Sequence, residues 1–221
     1  SGITAANKIY DGTTSATVDG SLALATGLVA GDVIRVAATG TFDTRNAGTG
    51  KTVTFVPSIS GTDAGNYVIG VGQTSTTATV TPATLTVSGS SSVNKTYDGT
   101  VAMPVGVTGY GALAGVIGSD TVSLTGAPVY QSANAGAAVV MQGAVALTGT
   151  DAANYTLSWA NGSGIIAKAN ATITGNSSTL TYDGTLRLVT GFSATGLING
   201  ETSAVLTGVT AGGSGKNAGT Y

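Results

Sequence analysis

The sequence predicts an all-β protein made of small antiparallel sandwiches repeated in tandem along an elongated rod, and three observations predict it. Short runs alternate apolar and polar residues with a period of two. Clusters of Gly, Asn, Asp and Ser interrupt these runs every 8–12 residues or so, the spacing of turns in all-β domains. A Tyr-Asp-Gly-Thr motif then returns three times, at Tyr10, Tyr97 and Tyr182, spaced by 87 and 85 positions. That is the length of a whole domain rather than of a solenoid coil.

The strands read as follows. In Thr121-Val122-Ser123-Leu124 the apolar residues fall on one face, and Ala83-Thr84-Leu85-Thr86-Val87 places Leu85 and Val87 together. Tyr155-Thr156-Leu157-Ser158-Trp159 does the same with Tyr155, Leu157 and Trp159. Asp-Gly at 11–12, 98–99 and 183–184 suits tight turns, because glycine tolerates positive φ. An alternative is a β-grasp-like repeat with one short helix near residues 22–29.

Two further landmarks keep step with the tyrosine. Asn46-Ala47-Gly48, Asn134-Ala135-Gly136 and Asn217-Ala218-Gly219 each follow their Tyr by about 36 residues, and Gly61-Thr62-Asp63-Ala64-Gly65-Asn66-Tyr67 is answered by Gly149-Thr150-Asp151-Ala152-Ala153-Asn154-Tyr155. The expected organisation is a first repeat over 1–82, a second over 83–169 and an incomplete third over 170–221. The joints Thr81-Pro82-Ala83 and Ala167-Lys168-Ala169-Asn170 are short, and Pro82 stiffens one of them by fixing its φ. Starting at Ser1-Gly2 and stopping at Tyr221 in mid-pattern, the chain reads as an excised fragment whose targeting signals lie elsewhere.

Composition narrows the function classes. Only 8% of the 221 residues are charged, against about 25% in typical globular proteins, so hydroxyls, amides and the backbone of 35 glycines must hydrate the surface. A 42% apolar fraction and a net charge of −2 favour folding over disorder. The basic residues are scattered singly, which excludes a nucleic-acid-binding stripe. No apolar run of about 18 residues encodes a membrane span. With no His, no Cys and Glu201 the only glutamate, the usual general bases, thiol nucleophiles and paired glutamates are unavailable, and the chain reads as a non-enzyme.

At these three landmarks the sequence resembles the YDG and MBG repeats of filamentous-haemagglutinin-like, two-partner-secreted bacterial adhesins, and the resemblance covers essentially the whole chain. It implies a secreted bacterial surface or biofilm-matrix fibre that mediates attachment or cell–cell aggregation, with these repeats as its stalk. The implied partners are neighbouring repeats, an outer-membrane export partner, and exopolysaccharide or other adhesin fibres.

The repeat-motif residues Tyr10, Asp11, Gly12, Tyr97, Asp98, Gly99, Tyr182, Asp183, Gly184, Asn66, Tyr67, Asn154 and Tyr155 are read as architecture. A tyrosine buried at a sandwich corner with its hydroxyl tied down is familiar in Ig-like folds. The recurring acids Asp32, Asp120 and Glu201, with Asp43, Asp63 and Asp151, raise Ca²⁺ as an alternative. They lack an Asp-x-Asp-x-Asp series, so turn-forming roles are preferred and no cofactor is expected. Lys8 with Asn66, and Lys95 with Asn154, are candidates for Lys–Asn crosslinks, but those asparagines sit in turn sequences. If a repeat itself binds carbohydrate, the unrepeated aromatics Trp159, Tyr110 and Tyr130 are the candidates, with Trp159 more naturally a core residue.

Overall fold

The computed structural model describes residues 3–19, 27–70, 72–89 and 93–220. Strands dominate; the helical elements among the described residues are single 3-10 turns at Ala64–Asn66, Ala152–Asn154 and Ser203–Val205. Most of the candidate helix at 22–29 lies outside the described residues. The chain divides into two compact units, one comprising Ser1–Ser88, Gly111–Gly126 and Ala144–Ala160, the other Gly89–Tyr110, Ala127–Gly143 and Asn161–Tyr221.

The first unit is built on a five-stranded sheet in the order Lys8–Ile9, Ser75–Thr81, Gly48–Ser60, Arg35–Phe42, Ser15–Ala16. Its backbone is the long hairpin that pairs Arg35 with Ser60 and continues to Phe42 with Val53. Alternation along these strands turns Phe42, Val53, Phe55, Ala78 and Val80 inward and leaves the intervening Thr and Ser outward. Pro82 alone separates Ser75–Thr81 from the next strand, Ala83–Ser88, and having no N–H it ends the ladder there. Ala83–Ser88 buries Ala83, Leu85 and Val87 and pairs in parallel with Tyr155–Ala160. A short antiparallel pair, Ser123–Thr125 with Ala146–Thr148, adds Leu124 opposite Leu147.

One apolar cluster fills this unit: Tyr10, Phe42, Val53, Ala78, Val80, Ala83, Leu85 and Tyr155. The first five belong to the first repeat and the last three to the second, so neither repeat closes this core by itself. Leu85 is fully buried, and such a side chain contributes about 2 kcal/mol through removal from water.

The second unit holds a four-stranded sheet in the order Val129–Tyr130, Gly136–Met141, Gly162–Ala167, Val93–Thr96. Val93, Tyr130, Val140 and Ile166 are buried in it. Gly164 lies so close to the Val93 carbonyl and the Tyr130 ring that a Cβ there would collide with backbone. Two interleaved antiparallel pairs, Thr172–Gly175 with Phe192–Thr195 and Arg187–Thr190 with Gly212–Gly215, carry the third repeat, whose Leu180, Tyr182, Leu186 and Leu188 are exposed. Most ladders are antiparallel. Among the described residues three are parallel, namely Lys8–Ile9 with Ser75–Thr81, Ala83–Ser88 with Tyr155–Ala160, and Val93–Thr96 with Gly162–Ala167. Period-two alternation identifies a strand but not its direction.

Candidate functional site

The Tyr-Asp-Gly-Thr segment folds into the same turn each time because its aspartate hydrogen-bonds its own backbone two residues on. Asp11 Oδ1 accepts from the Thr13 amide and hydroxyl, both at 2.9 Å, and Asp98 repeats this on Thr100 at the same distances. The glycine between takes φ 77° in the first copy and 72° in the second, which a side chain would disfavour. A lysine three residues before the aspartate seals the turn. Lys8 Nζ donates to Asp11 Oδ1 at 2.8 Å and to the carbonyls of Thr13 and Ser15 at 2.8 and 3.0 Å. Lys95 Nζ does the same with Asp98, Thr100 and Ala102 at 2.7, 2.7 and 3.0 Å. Each ammonium also sits over an aromatic ring, Lys8 over Phe42 at 5.4 Å and Lys95 over Tyr130 at 5.3 Å. The Lys95 hydrogen bond, helped by the Thr100 amide, lowers the Asp98 carboxyl to about 2. Burial alone would raise Asp11, but its bonds from Lys8 and Thr13 outweigh that and lower it. Both amines are thus held by hydrogen bonds within their own turns. In the third copy Leu180 replaces the lysine, and Arg187 pairs with Asp183 instead.

The turn aims its tyrosine at the next repeat. Within the first unit, the Tyr10 hydroxyl donates to Asp120 Oδ2 at 2.7 Å, and the Tyr155 hydroxyl donates to the same oxygen at 2.7 Å. The two rings meet edge to face, with centroids 5.4 Å apart. Arg45 lies across the pair: Nη1 reaches Asp120 Oδ1 at 2.6 Å and Nη2 reaches Asp151 Oδ1 at 2.7 Å. The Ile117 amide donates to the Tyr155 hydroxyl at 3.0 Å, completing its hydrogen bonding. Beside this network, buried Asn154 accepts from the Ala47 amide at 2.9 Å and donates to Asn46 Oδ1 at 3.4 Å. Every one of the three sequence landmarks therefore meets here, two from the first repeat and one from the second.

The electrostatics fit a closed structural junction. The Asp120 side chain is 1% exposed, and such burial raises a carboxyl pKa. Donors from Tyr155, Tyr10 and Arg45 more than offset this, so the group is lowered and ionised. Tyr10 is raised well above the ordinary phenol value, first by burial and then by its bond to the Asp120 carboxylate. Both oxygens of Asp120 are occupied by tyrosine and guanidinium donors, an arrangement that competes with metal ligation rather than preparing for it.

The pairing occurs again inside the second unit, where the Tyr97 hydroxyl donates to Glu201 Oε1 at 2.6 Å and Asn199 Nδ2 donates to the Gly99 carbonyl at 3.2 Å. Two successive Tyr-Asp-Gly-Thr turns thus present their tyrosine to the acidic residue of the following repeat. The sequence matches the YDG domain twice, over residues 1–78 and 81–162. The chain belongs to the YDG domain family. No curated protein and no solved structure matches it.

The remaining YDG landmark residues divide by environment. Tyr67 donates to Asp32 Oδ2 at 2.7 Å and accepts from the Val29 amide at 2.8 Å, the counterparts of Tyr155 with Asp120 and Ile117, while Asn66 is exposed. Tyr182 is 64% exposed, and its turn keeps the Asp183 bond to the Thr185 amide at 3.0 Å around Gly184. Tyr130 is 1% exposed with its hydroxyl on the Val93 carbonyl at 3.0 Å, which leaves no ring face for a sugar. Trp159 is half-buried opposite Val87, and Tyr110 is half-buried in a single bridge to Gly89. Sequence reasoning missed Arg45. Its position holds Ala133 and Lys216 in the other copies, so no recurrence marks it.

Proposed function

We propose that these YDG repeats are stalk modules of a large secreted bacterial surface or biofilm-matrix adhesin, and that they act mechanically, holding an adhesive region away from the cell and supporting attachment or aggregation. The observation that carries this reading is the inter-repeat junction. Tyr10, Arg45, Asn46 and Ala47 of one repeat are joined to Asp120, Asp151 and Asn154 of the next by direct hydrogen bonds and ion pairs. Polar groups that satisfy each other in this way transmit load along a chain and leave little for a substrate. Export through a dedicated outer-membrane partner also suits a cysteine-free chain rich in small side chains. Other adhesin fibres or exopolysaccharide are the partners this role implies.

Stretching the chain between its termini tests the proposal. Discrete rupture events are expected, each releasing roughly 3.5 Å of contour per residue freed. Arg45→Ala should lower the force of the event that opens the first unit. Featureless extension, or a glycan-array signal abolished by Trp159→Ala, would favour a binding module instead.

A further inference from the structure

Each repeat carries its acidic residue at the end of a tight turn. The Asp32, Asp120 and Glu201 amides donate to the carbonyls of Val29, Ile117 and Ile198 at 3.2, 3.1 and 2.9 Å. The two residues inside the turn differ from copy to copy: Ala30-Gly31, Gly118-Ser119 and Asn199-Gly200. All of them are exposed, and only the third pair carries a carboxamide. Asn199 is also the one non-glycine among the described residues with a left-handed backbone, at φ 51°, and Gly200 follows at φ 75°. Two successive positive angles are what a tight two-residue turn of this kind requires.

The Asn199 turn meets the Asp-Gly turn of the preceding repeat. Asn199 Nδ2 donates to the Gly99 carbonyl at 3.2 Å, and its carboxamide fills the space where a Cβ at Gly99 would stand. Two residues on, Glu201 accepts from the Tyr97 hydroxyl at 2.6 Å. In the first unit Ile117 Cγ2 lies against Gly12 instead, so the matching contact there is apolar. At Gly200 nothing crowds the nitrogen: the residue has no side chain, the space a Cβ would enter is open, and among the described residues its N–H has no acceptor. Asn161-Gly162, the other Asn-Gly pair in the sequence, differs, because Gly162 is held in a ladder opposite Val140.

We infer that Asn199 is a site of spontaneous deamidation, with water as the co-reactant, and that its conversion loosens the second repeat junction as the protein ages. The Gly200 nitrogen attacks Asn199 Cγ, the Cγ–Nδ2 bond breaks, and Nδ2 leaves as ammonia with the proton that the Gly200 nitrogen gives up. Water then opens the cyclic imide at either carbonyl, giving aspartate or isoaspartate. Each product replaces the Nδ2 donor with a carboxylate, which can only accept, beside the Gly99 carbonyl. Isoaspartate also lengthens the main chain by a methylene just before Glu201, shifting that carboxylate relative to Tyr97. The chemistry is independent of the stalk reading.

Ageing the 221-residue chain in mildly alkaline buffer, followed by intact mass and peptide mapping, tests this. The mass should rise by the difference between a water gained and an ammonia lost, with the change appearing first in the peptide that holds Asn199. Isomerisation at the Asp-Gly turns leaves the mass unchanged and does not confuse the reading. Hydrogen exchange at the Glu201 amide should quicken by about fivefold in the aged chain, the effect of losing one neutral hydrogen bond, while exchange at the Asp120 amide stays as it was. In Asn199→Gln, whose longer side chain closes a larger ring slowly, the peptide should stay unconverted and the Glu201 amide should keep its rate on ageing. An unconverted Asn199, conversion of Asn161 ahead of it, conversion that leaves the Glu201 amide unmoved, or an equal quickening in Asn199→Gln would each overturn the inference.

Discussion

The Tyr10 hydroxyl lies 2.7 Å from Asp120 Oδ2, two atoms separated by 110 positions in the chain and by a repeat boundary. The contact gives the Tyr-Asp-Gly-Thr turn a physical task. Asp11, Gly12, Thr13 and Lys8 hold the turn rigid, and the rigid turn holds a phenol where the next repeat places a carboxylate. Edge contact with Tyr155 and the Arg45 guanidinium then shield that carboxylate from water, which strengthens each bond it makes.

Arg45→Ala should destabilise the first unit by about 2 kcal/mol, because it leaves the buried Asp120 carboxylate without its ionic partner. Urea unfolding followed by tyrosine fluorescence measures this. Arg35→Ala, an exposed change outside the junction, should fall within about 0.5 kcal/mol of wild type.

Lys95→Met should loosen the second turn by about 1–3 kcal/mol, since Asp98 and two carbonyls lose the ammonium on which they converge. Leu180→Lys in the third copy should cost far less than Lys95→Met, because Asp183 already has Arg187 there. Amide hydrogen exchange at Thr100 and Thr185 separates the two effects.

Stability should form a plateau in pH. Asp98 and Asp120 are depressed in the folded state, so their contribution is complete above the unfolded aspartate value of about 4. It fades as pH falls, for Asp98 toward its folded value of about 2. Tyr10 is raised, so its contribution is complete below the unfolded phenol value of about 10 and is lost above it. Melting temperatures recorded across this range should fall at both ends. In Tyr10→Phe the alkaline fall should shrink.

Calcium should leave the melting temperature unchanged, and a chelator likewise. Asp120 is filled by two phenols and a guanidinium, and one Asp151 oxygen holds the Thr121 amide while the other holds Arg45. A calcium-dependent rise in melting temperature would reveal oxygens able to trade these donors for a metal.

Much of the fold was legible because local chemistry decides it. Alternation marked Ala83–Ser88 and Tyr155–Ala160 as strands, and Asp-Gly marked the turns. What local patterning does not carry is partner choice. Nothing within Ala83–Ser88 says that it pairs in parallel with Tyr155–Ala160, nor that its Leu85 joins a cluster with Val53 and Val80 of the preceding repeat. The junction was half visible. The recurrence of Tyr10 and of Asp120 was plain, but a bond between them spans 110 residues, and the acids read more naturally as turn formers. Arg45 was silent because its role depends on Asp120 and Asp151 converging in space, not on any motif of its own.

The most direct test of the repeat junction is a double-mutant cycle on Tyr10→Phe and Asp120→Ala, measured by equilibrium unfolding. If the landmark tyrosine couples consecutive repeats through this carboxylate, the pair should show an interaction energy of about 1–2 kcal/mol. Strictly additive losses, with Tyr10→Phe costing as much in the absence of Asp120 as in its presence, would contradict it.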